Sequence, residues 1–294
     1  MQHENNQQVQ PYIKEKELTI TKRGDLEHVS VTQQLKYLRL LCEFPLGKSL
    51  LATGEISSYW IDIITQKKPN NSSHNFIESF LKQNSFSIKR WKEIFIIFQD
   101  LMSSKIQKCT SLASIPCGIM RDVFSLDFSK STNIRLIGID LDPNVLEQAS
   151  VLAESYCLTK RTELFMLDAW KLPFQEEIDV ISSCGLNIYE SSTKRLFELY
   201  RCFFKSLRPG GTLLLHFLTY PPSYGEISEW KIQYMDPQTV LLDRIIFEDI
   251  LNLKLTNFSS SPQMEKMLNQ VGFKHCTFYY DSFSTSAVVQ AKKS

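Results

Sequence analysis

The chain has 294 residues, which is enough for one large domain or for one domain with a sizeable additional region. Its 43% hydrophobic content indicates a globular protein with a full core, and Lys+Arg 33 against Asp+Glu 32 gives a formal net charge of +1. This balance provides no broad electrostatic attraction for nucleic acid or an anionic membrane, so we expect neither as a partner.

The seven cysteines are scattered and form no CxxC pair, so the sequence predicts neither a metal site nor a disulfide framework. Free cysteines are typical of a reducing cytosol. The start of the chain, MQHENNQQVQ, is polar and unlike a signal peptide. No apolar run reaches the roughly 18–20 residues needed to cross a bilayer. We therefore expect a soluble, cytoplasmic protein, or one exported by a route that the amino terminus does not reveal.

Residues 1–30 are polar and charge-mixed, which predicts a poorly ordered N-terminus. Apolar residues then recur at helical spacing in 32–44, 76–81 and 91–101. These patterns predict a helical region over 31–108, placed before a second domain that covers 109–294.

From residue 109 onward, short apolar runs alternate with helical patterns, which is typical of a parallel sheet with right-handed crossovers. Strands are expected at 111–115, 134–139, 163–167, 178–183, 212–218, 274–280 and 285–291, and a long helical segment at 237–271. The last two strands are joined by a short turn and form a hairpin. The predicted fold is therefore α/β, with a doubly wound, mostly parallel seven-stranded sheet that contains one antiparallel strand at its C-terminal hairpin.

Two acids and a glycine follow the first three strands of this sheet. Gly118 lies in the loop after the first strand, Asp140 ends the second strand, and Asp168 follows the third. Because ligands of doubly wound sheets bind at the carboxyl ends of the strands, these residues indicate a nucleoside-binding site.

The order of five phrases carries a family resemblance: SLASIPCGIMRDVFSLDF, LIGIDLDPNVLEQA, LDAWKLPF, DVISSCGLNIYE and LRPGGTLLLHF. With the closing hairpin, residues 111–293 resemble the class I S-adenosylmethionine-dependent methyltransferases. The phrases GLNIYE, HFLTYPP and SYWIDII are similar to an uncharacterised bacterial subgroup of these enzymes. The resemblance implies the fold and the cofactor, S-adenosylmethionine, and leaves the substrate open.

The first motif of the family has an acid followed by glycines at alternate positions, and this chain departs from it. Ser114 occupies the position of the acid, and Pro116 and Met120 occupy two of the glycine positions. Gly118 is the one motif residue that is retained. Glycine is favoured in such a loop because it permits close backbone approach and unusual φ angles. Proline has no N–H to donate, and methionine adds bulk.

The resemblance also implies which residues bind the cofactor. Asp140 would accept hydrogen bonds from both ribose hydroxyls, while Asp142 caps the next helix. Asp168 would reach the adenine amino group, or it is an ordinary turn acid; Trp170 would pack on the ring, or it belongs to the core. The full set of candidate cofactor residues is Ser114, Pro116, Cys117, Gly118, Asp140, Leu141, Asp168, Ala169, Trp170, Ser183 and Gly185.

Three residues are candidates for the chemistry of transfer. Asn187 and Tyr189 follow the fourth strand and would face the transferred methyl group, with a turn residue and a packed ring as the alternatives. His216, late in the fifth strand, would take a proton from an attacking hydroxyl or amine, or it is a structural histidine. Enzymes of the family that methylate adenine or glutamine nitrogens have an Asp/Asn-Pro-Pro-aromatic run at the end of the fourth strand. This chain lacks that run, which argues against methylation of such nitrogens.

The sequence therefore predicts methyl transfer from S-adenosylmethionine to a small organic acceptor through an O, N or C nucleophile. Aromatic residues in the helical region and in 220–260, among them Tyr59, Trp60 and Tyr220, predict that these segments roof the site. The alternatives are a non-catalytic regulator that binds the cofactor, and a methyltransferase of protein or RNA. A nicotinamide-dependent oxidoreductase is disfavoured by the missing glycines and by the terminal hairpin.

Overall fold

The computed structural model describes residues 6–53, 60, 63, 75–131, 133–253 and 255–294. The chain forms two compact units. One contains Met1–Lys92 together with Tyr234–Lys254, and the other contains Glu93–Gln233 together with Leu255–Ser294. The second is called the sheet unit and the first the helical unit below.

The helices of the described residues are α1 (Asn6–Arg23), α2 (Val31–Leu41), α3 (Pro45–Thr53), α4 (Phe76–Gln83), α5 (Phe86–Ile106), α6 (Arg121–Phe124), α7 (Pro143–Ser155), α8 (Thr193–Ser206), α9 (Pro237–Arg244) and α10 (Ser261–Val271). A π-helical turn, Ile245–Ile250, continues α9. None of these helices combines the length and the hydropathy required to span a bilayer, as judged over the described residues.

The sheet unit is built on seven strands: β1 (Ser111–Ser114), β2 (Arg135–Asp140), β3 (Thr162–Met166), β4 (Ile178–Ser183), β5 (Leu207–Leu218), β6 (Phe273–Tyr280) and β7 (Ser286–Lys293). Their order is β3-β2-β1-β4-β5-β7-β6. Strands β1 to β5 pair in parallel, whereas β7 is antiparallel to both β5 and β6. The predicted seven-stranded α/β sheet with its antiparallel hairpin strand is confirmed.

Alternate residues of the strands pack on the two faces of this sheet, as the period of two in a strand requires. Ala113, Ile137 and Ile181 contribute to one core, which includes apolar residues of α8 and α10. Leu112, Leu136 and Val180 contribute to the other core, which includes residues of α5 and α7. Both faces are therefore covered, and ligand access is left to the strand ends.

The helical unit has its own core. Leu38, Leu41 and Phe80 from the first 92 residues pack with Ile246 and Phe247 from the distant 234–254 segment. The Asp249 carboxylate of that segment accepts a hydrogen bond from Nε2 of the His28 ring at 2.8 Å. Trp60 packs against this core, and Tyr59 lies outside the described residues.

The structure differs from the sequence-based prediction in three places. Residues 6–23 form α1 instead of a poorly ordered N-terminus. The units divide within α5, at residue 92, and the 234–254 segment belongs to the helical unit and not to 109–294. The long helix expected over 237–271 is interrupted, since Asn252 has φ 56° and Ser260 begins a new helix by accepting a hydrogen bond from the Gln263 N–H.

Candidate active site

The loop after β1 is fastened to the strands on both sides of it. The Ile115 N–H donates to the Ser182 carbonyl of β4 at 2.8 Å, and the Cys117 N–H donates to the Ile139 carbonyl of β2 at 2.8 Å. Gly118 has φ 50° and Met120 has φ 56°, so both lie in the left-handed region. The position where the family has a further glycine therefore keeps a glycine-like backbone conformation although it holds a methionine.

The Met120 side chain is accommodated beneath this loop because β2 has a glycine at position 138. A Cβ atom on Gly138 would lie 2.5 Å from the Met120 sulfur and 3.2 Å from the Cys117 sulfur. Both side chains are buried against β2, whereas Pro116 and Gly118 keep partial exposure. The bulk of Met120 therefore lies under the loop and does not fill its outer surface.

Asp140 lies beside this loop at the end of β2. Its Oδ2 accepts a hydrogen bond from the Gly118 N–H at 3.1 Å, and its Oδ1 accepts one from the Asp142 N–H at 3.2 Å. Capping of α7 is done by Asp142, which accepts a hydrogen bond from the Asn144 N–H at 2.9 Å. Leu141 between the two acids is 65% exposed. Asp140 is thus held by backbone donors and keeps partial exposure at the strand end.

The residues after β3 are occupied with local contacts. Asp168 accepts a hydrogen bond from the Trp170 N–H at 3.0 Å and lies 3.9 Å from the Lys171 ammonium, while Ala169 is buried. The Trp170 indole N–H donates to the Arg195 carbonyl at 2.8 Å, and the Arg195 guanidinium carbon lies 4.8 Å from the ring centroid. These contacts fit the two structural alternatives, a turn acid and a packed ring.

Two buried acceptor atoms at the end of β4 have no hydrogen-bond partner among the described residues. They are Oγ of Ser183 and Oδ1 of Asn187. Asn187 is fixed on its other side, where its amide nitrogen donates to the Tyr200 hydroxyl at 3.2 Å. Gly185 lies between them with φ 87°. Because buried polar atoms are nearly always paired in native proteins, these two are suited to receive donors from a ligand or from water.

The structure does not support His216 as the catalytic base. His216 is fully buried within β5, where its register partner is Val288 of β7. It shares a sheet face with Leu214, in the core that includes residues of α5 and α7. A general base must come within hydrogen-bond reach of the proton it removes, and a side chain enclosed in a packed core cannot do so. Tyr189, in contrast, is 44% exposed.

The cysteines near the site are not suited to nucleophilic chemistry. Burial raises the pKa of the Cys117 thiol, and Asp140 and Asp122 raise it further. Burial likewise raises the pKa of the Cys184 thiol, with a smaller contribution from Asp122. Both thiols are therefore protonated near neutral pH, and the thiolate that a cysteine nucleophile requires is not formed.

A segment at residues 256–259, which the sequence did not single out, connects the ends of two strands. The N–H groups of Thr256 and Asn257 both donate to the Ile188 carbonyl at 3.1 Å, and the Ser259 N–H donates to the Leu218 carbonyl at 2.9 Å. No sequence signal marks this segment, because the pattern around it resembles one continuous helix.

This segment places Phe258 in an aromatic cluster with Tyr220 and Tyr224. The ring centroids of Tyr220 and Tyr224 are 4.9 Å apart, and those of Tyr220 and Phe258 are 6.4 Å apart. Tyr224 is 52% exposed. The cluster therefore presents a partly exposed aromatic surface just beyond the carboxyl end of β5.

Residues 116–211 match the profile of the family described as "Methyltransferase domain". This part of the chain is therefore similar to a methyltransferase domain. The match begins at the loop after β1 and ends in β5, so it covers the strand ends described above. No curated protein sequence gives a significant match.

Several solved structures share the fold of this chain. A protein from Bordetella parapertussis, described as a possible exported protein, has a TM-score of 0.90 and 29% identity, over 97% of this chain and 95% of that chain. The S-adenosylmethionine-dependent methyltransferase SibL has a TM-score of 0.53 and 13% identity, over 88% and 72%. An O-methyltransferase family 2 protein from Planctomyces limnophilus, solved with apigenin, has a TM-score of 0.50 and 18% identity, over 91% and 72%. The last two show a shared fold.

Proposed function

We propose that this protein transfers the methyl group of S-adenosylmethionine to a small organic acceptor. The observation that carries the proposal is the hydrogen bond from the Gly118 N–H to the Asp140 carboxylate, 3.1 Å long. It keeps the strand-end acid next to the bend of the β1 loop. If the ribose hydroxyls of S-adenosylmethionine bind Asp140, the amino-acid tail of the same molecule would lie over that bend.

The residues at the strand ends fit such a cofactor. Each oxygen of Asp140 accepts one backbone hydrogen bond, and a carboxylate has further lone pairs with which to accept two ribose hydroxyls. The loop has its bulky side chain beneath it, next to Gly138, so that its outer surface remains available. The unpartnered Oγ of Ser183 and Oδ1 of Asn187 provide acceptors at the neighbouring strand end.

Methyl transfer requires little from the protein beyond positioning of the two reactants. S-adenosylmethionine supplies a methyl group already activated by its sulfonium, so the rate depends chiefly on holding the nucleophile in line with that group. Asn187, held by Tyr200, would accept a hydrogen bond from a hydroxyl or amine of the acceptor and so orient its nucleophilic atom. Tyr189 would border the same space.

The aromatic cluster of Tyr220, Tyr224 and Phe258 supports an acceptor with an aromatic or otherwise apolar body. Offset and tilted ring contacts of this kind stabilise a planar ligand as well as each other. The cluster lies in the same unit as Asp140 and next to the end of β5. That the helical unit also selects the acceptor stays a prediction.

We propose a cytoplasmic location. All seven cysteines are free in the structure, as expected in a reducing compartment. The Bordetella parapertussis protein is described as possibly exported, which makes the location a point to measure. Fractionation of the native host with an antibody against the protein would test it: recovery in the cytoplasmic fraction agrees with the proposal, and recovery from the periplasm or medium contradicts it.

A regulator that binds S-adenosylmethionine without turnover is the second candidate, and the burial of His216 favours it. An acceptor whose nucleophile must lose a proton needs a base, and the base that the sequence indicated is enclosed in the core.

Calorimetry with S-adenosylmethionine, followed by a methyl-release assay with a panel of small aromatic phenols, amines and carbon acids, separates these functions. Binding with product formation supports the enzyme. Binding without product across the panel favours the regulator. Absence of binding contradicts both.

A further inference from the structure

Asp122 is a carboxylate that the sequence did not single out, two residues after the loop of the candidate site. It lies in the first turn of α6, two residues after Met120, and the Met120 carbonyl accepts hydrogen bonds from the Val123 and Phe124 N–H groups. Its charge acts on the thiols of Cys117 in the loop and Cys184 at the end of β4. Asp122 therefore lies close to both the β1 loop and the β4 end.

Asp122 is partly exposed, unlike the two residues that follow it in the helix. Its neighbours Val123 and Phe124 are buried in the core, whereas Asp122 keeps partial solvent exposure. At the same time, protein atoms crowd the carboxyl closely enough that burial raises its pKa to about 6. The carboxyl group is therefore within reach of solvent although protein atoms surround much of it.

The charge of Asp122 is not balanced by a side chain of the described residues. The groups that favour its ionised form are the backbone N–H groups of Val123 and Asp122 itself. Arg121 next to it is directed to α7, where it donates to the Tyr156 hydroxyl at 2.6 Å and lies 5.5 Å from that ring centroid. An enclosed carboxylate without a cationic partner is costly in free energy and is a feature of binding sites.

The cofactor proposed above carries a cation where such a carboxylate is useful. The amino-acid tail of S-adenosylmethionine ends in an ammonium and a carboxylate group, and it would pass over the β1 loop. Ser114, at the position where the family has an acid, is buried and uncharged. Asp140 is engaged by Gly118 and would bind the ribose. Neither Ser114 nor Asp140 therefore supplies a negative charge for the ammonium group of the tail.

We propose that Asp122 binds the ammonium group of the cofactor's amino-acid tail and replaces the acid that is missing at position 114. This inference rests on the proposed function. Asp122 is then a specificity-determining residue for the amino group of the cofactor. A charge-assisted hydrogen bond of this kind, in a site with little water, corresponds to about a tenfold to hundredfold difference in affinity.

The test is a set of calorimetric titrations with two ligands, S-adenosylhomocysteine and its analogue without the α-amino group. The wild-type protein should bind S-adenosylhomocysteine about tenfold or more tightly than the analogue. The Asp122→Asn variant should lose about tenfold or more in affinity for S-adenosylhomocysteine and should bind both ligands equally. Asp127→Asn, which removes the same charge from an exposed position just after α6, should behave as the wild type.

A thermal melt of the ligand-free variant shows whether Asp122 is structural. Because the enclosed carboxylate is unpaired, Asp122→Asn should raise the melting temperature by a few degrees. A lower melting temperature would show a structural role and would overturn the inference. So would an Asp122→Asn variant that keeps the wild-type preference for the amino group. If the wild-type protein binds neither ligand, the proposed function fails together with this inference.

Discussion

Asp243 in the helical unit and Asp122 in the sheet unit are two carboxyl groups whose pKa is raised by burial to about 6. Their surroundings differ in one respect. Asp243, in α9, accepts hydrogen bonds from the hydroxyls of Ser85 and Ser87, and the nearby Arg90 lowers its pKa. Asp122 has no such side-chain partners among the described residues.

The difference gives the two carboxyl groups different roles in our account: a structural one for Asp243 and, as proposed above, a ligand-binding one for Asp122. Asp243 joins α9 to Ser85 and Ser87 of its own unit, so its hydrogen bonds connect segments that are 158 and 156 residues apart in the chain. Asp122 connects nothing of this kind and stays in contact with solvent. Substitution of each should therefore affect different measurements: stability for Asp243, and ligand affinity for Asp122.

The largest effect is expected for Asp243→Ala. The change leaves two buried hydroxyls unpaired and removes a carboxylate that balances the buried Arg90, so the free energy of unfolding should fall by about 3–5 kcal/mol. Urea unfolding measures it. Asp249→Ala is the matched control, because the His28–Asp249 pair is partly exposed and should contribute about 1 kcal/mol or less. Equal losses in the two variants would contradict the account.

Asp140→Asn should weaken binding of S-adenosylhomocysteine about thirtyfold, since charge-assisted hydrogen bonds to the ribose contribute about 2 kcal/mol. Calorimetry at neutral pH is the measurement. The control is Asp142→Asn, two residues away, which affects the capping of α7 and should leave the affinity within a few-fold of wild type. An unchanged affinity in Asp140→Asn would place the cofactor elsewhere.

Gly138→Ala should lower the free energy of unfolding by about 1–3 kcal/mol, because the added methyl group overlaps the Met120 sulfur. The displaced Met120 should also shift the β1 loop and weaken binding of S-adenosylhomocysteine. The double variant Gly138→Ala/Met120→Ala removes the overlap with residue 120, so its loss in stability should be smaller than the sum of the two single losses. Additive losses would show that Met120 does not occupy the space over Gly138.

The pH dependence of Asp122→Asn gives the smallest effect. Burial raises the pKa of the folded-state carboxyl from 3.8 to about 6, so ionisation of Asp122 costs folding free energy above pH 6 and the cost vanishes below about pH 4. The shift corresponds to at most about 3 kcal/mol, and the partial solvent exposure of Asp122 reduces this value. The variant should therefore be about 1–2 kcal/mol more stable than wild type at pH 7.5 and equally stable at pH 4. Asp243 is present in both proteins, so its contribution cancels in the difference between their stabilities. A stability difference independent of pH would mean that the carboxylate is not the cause.

The sheet could be predicted from the sequence because its strands are short apolar runs bounded by turn residues. The apolar run at 178–183 predicts β4 where the structure has it, and Asp142 with Pro143 indicates the start of α7. These signals are local, and the sheet order follows from general rules of connection.

The features that were missed depend on residues distant in sequence. The space for Met120 is created by Gly138, eighteen residues later and on another strand, and a sequence motif read from 114 to 120 does not contain it. The 234–254 segment joins the helical unit through apolar contacts that periodicity alone cannot assign to a partner. His216 was placed correctly near the end of β5, but its burial is set by the neighbouring strand and the helices over it.

The central claim is that Asp140 and the loop around Gly118 bind S-adenosylmethionine, and a crystal structure of the protein with S-adenosylhomocysteine tests it most directly. The account predicts both ribose hydroxyls within hydrogen-bond distance of the Asp140 carboxylate, with the amino-acid tail over Gly118 and its ammonium facing Asp122. Density for the ligand at another place, or an Asp140 carboxylate turned away from the ribose, would contradict it.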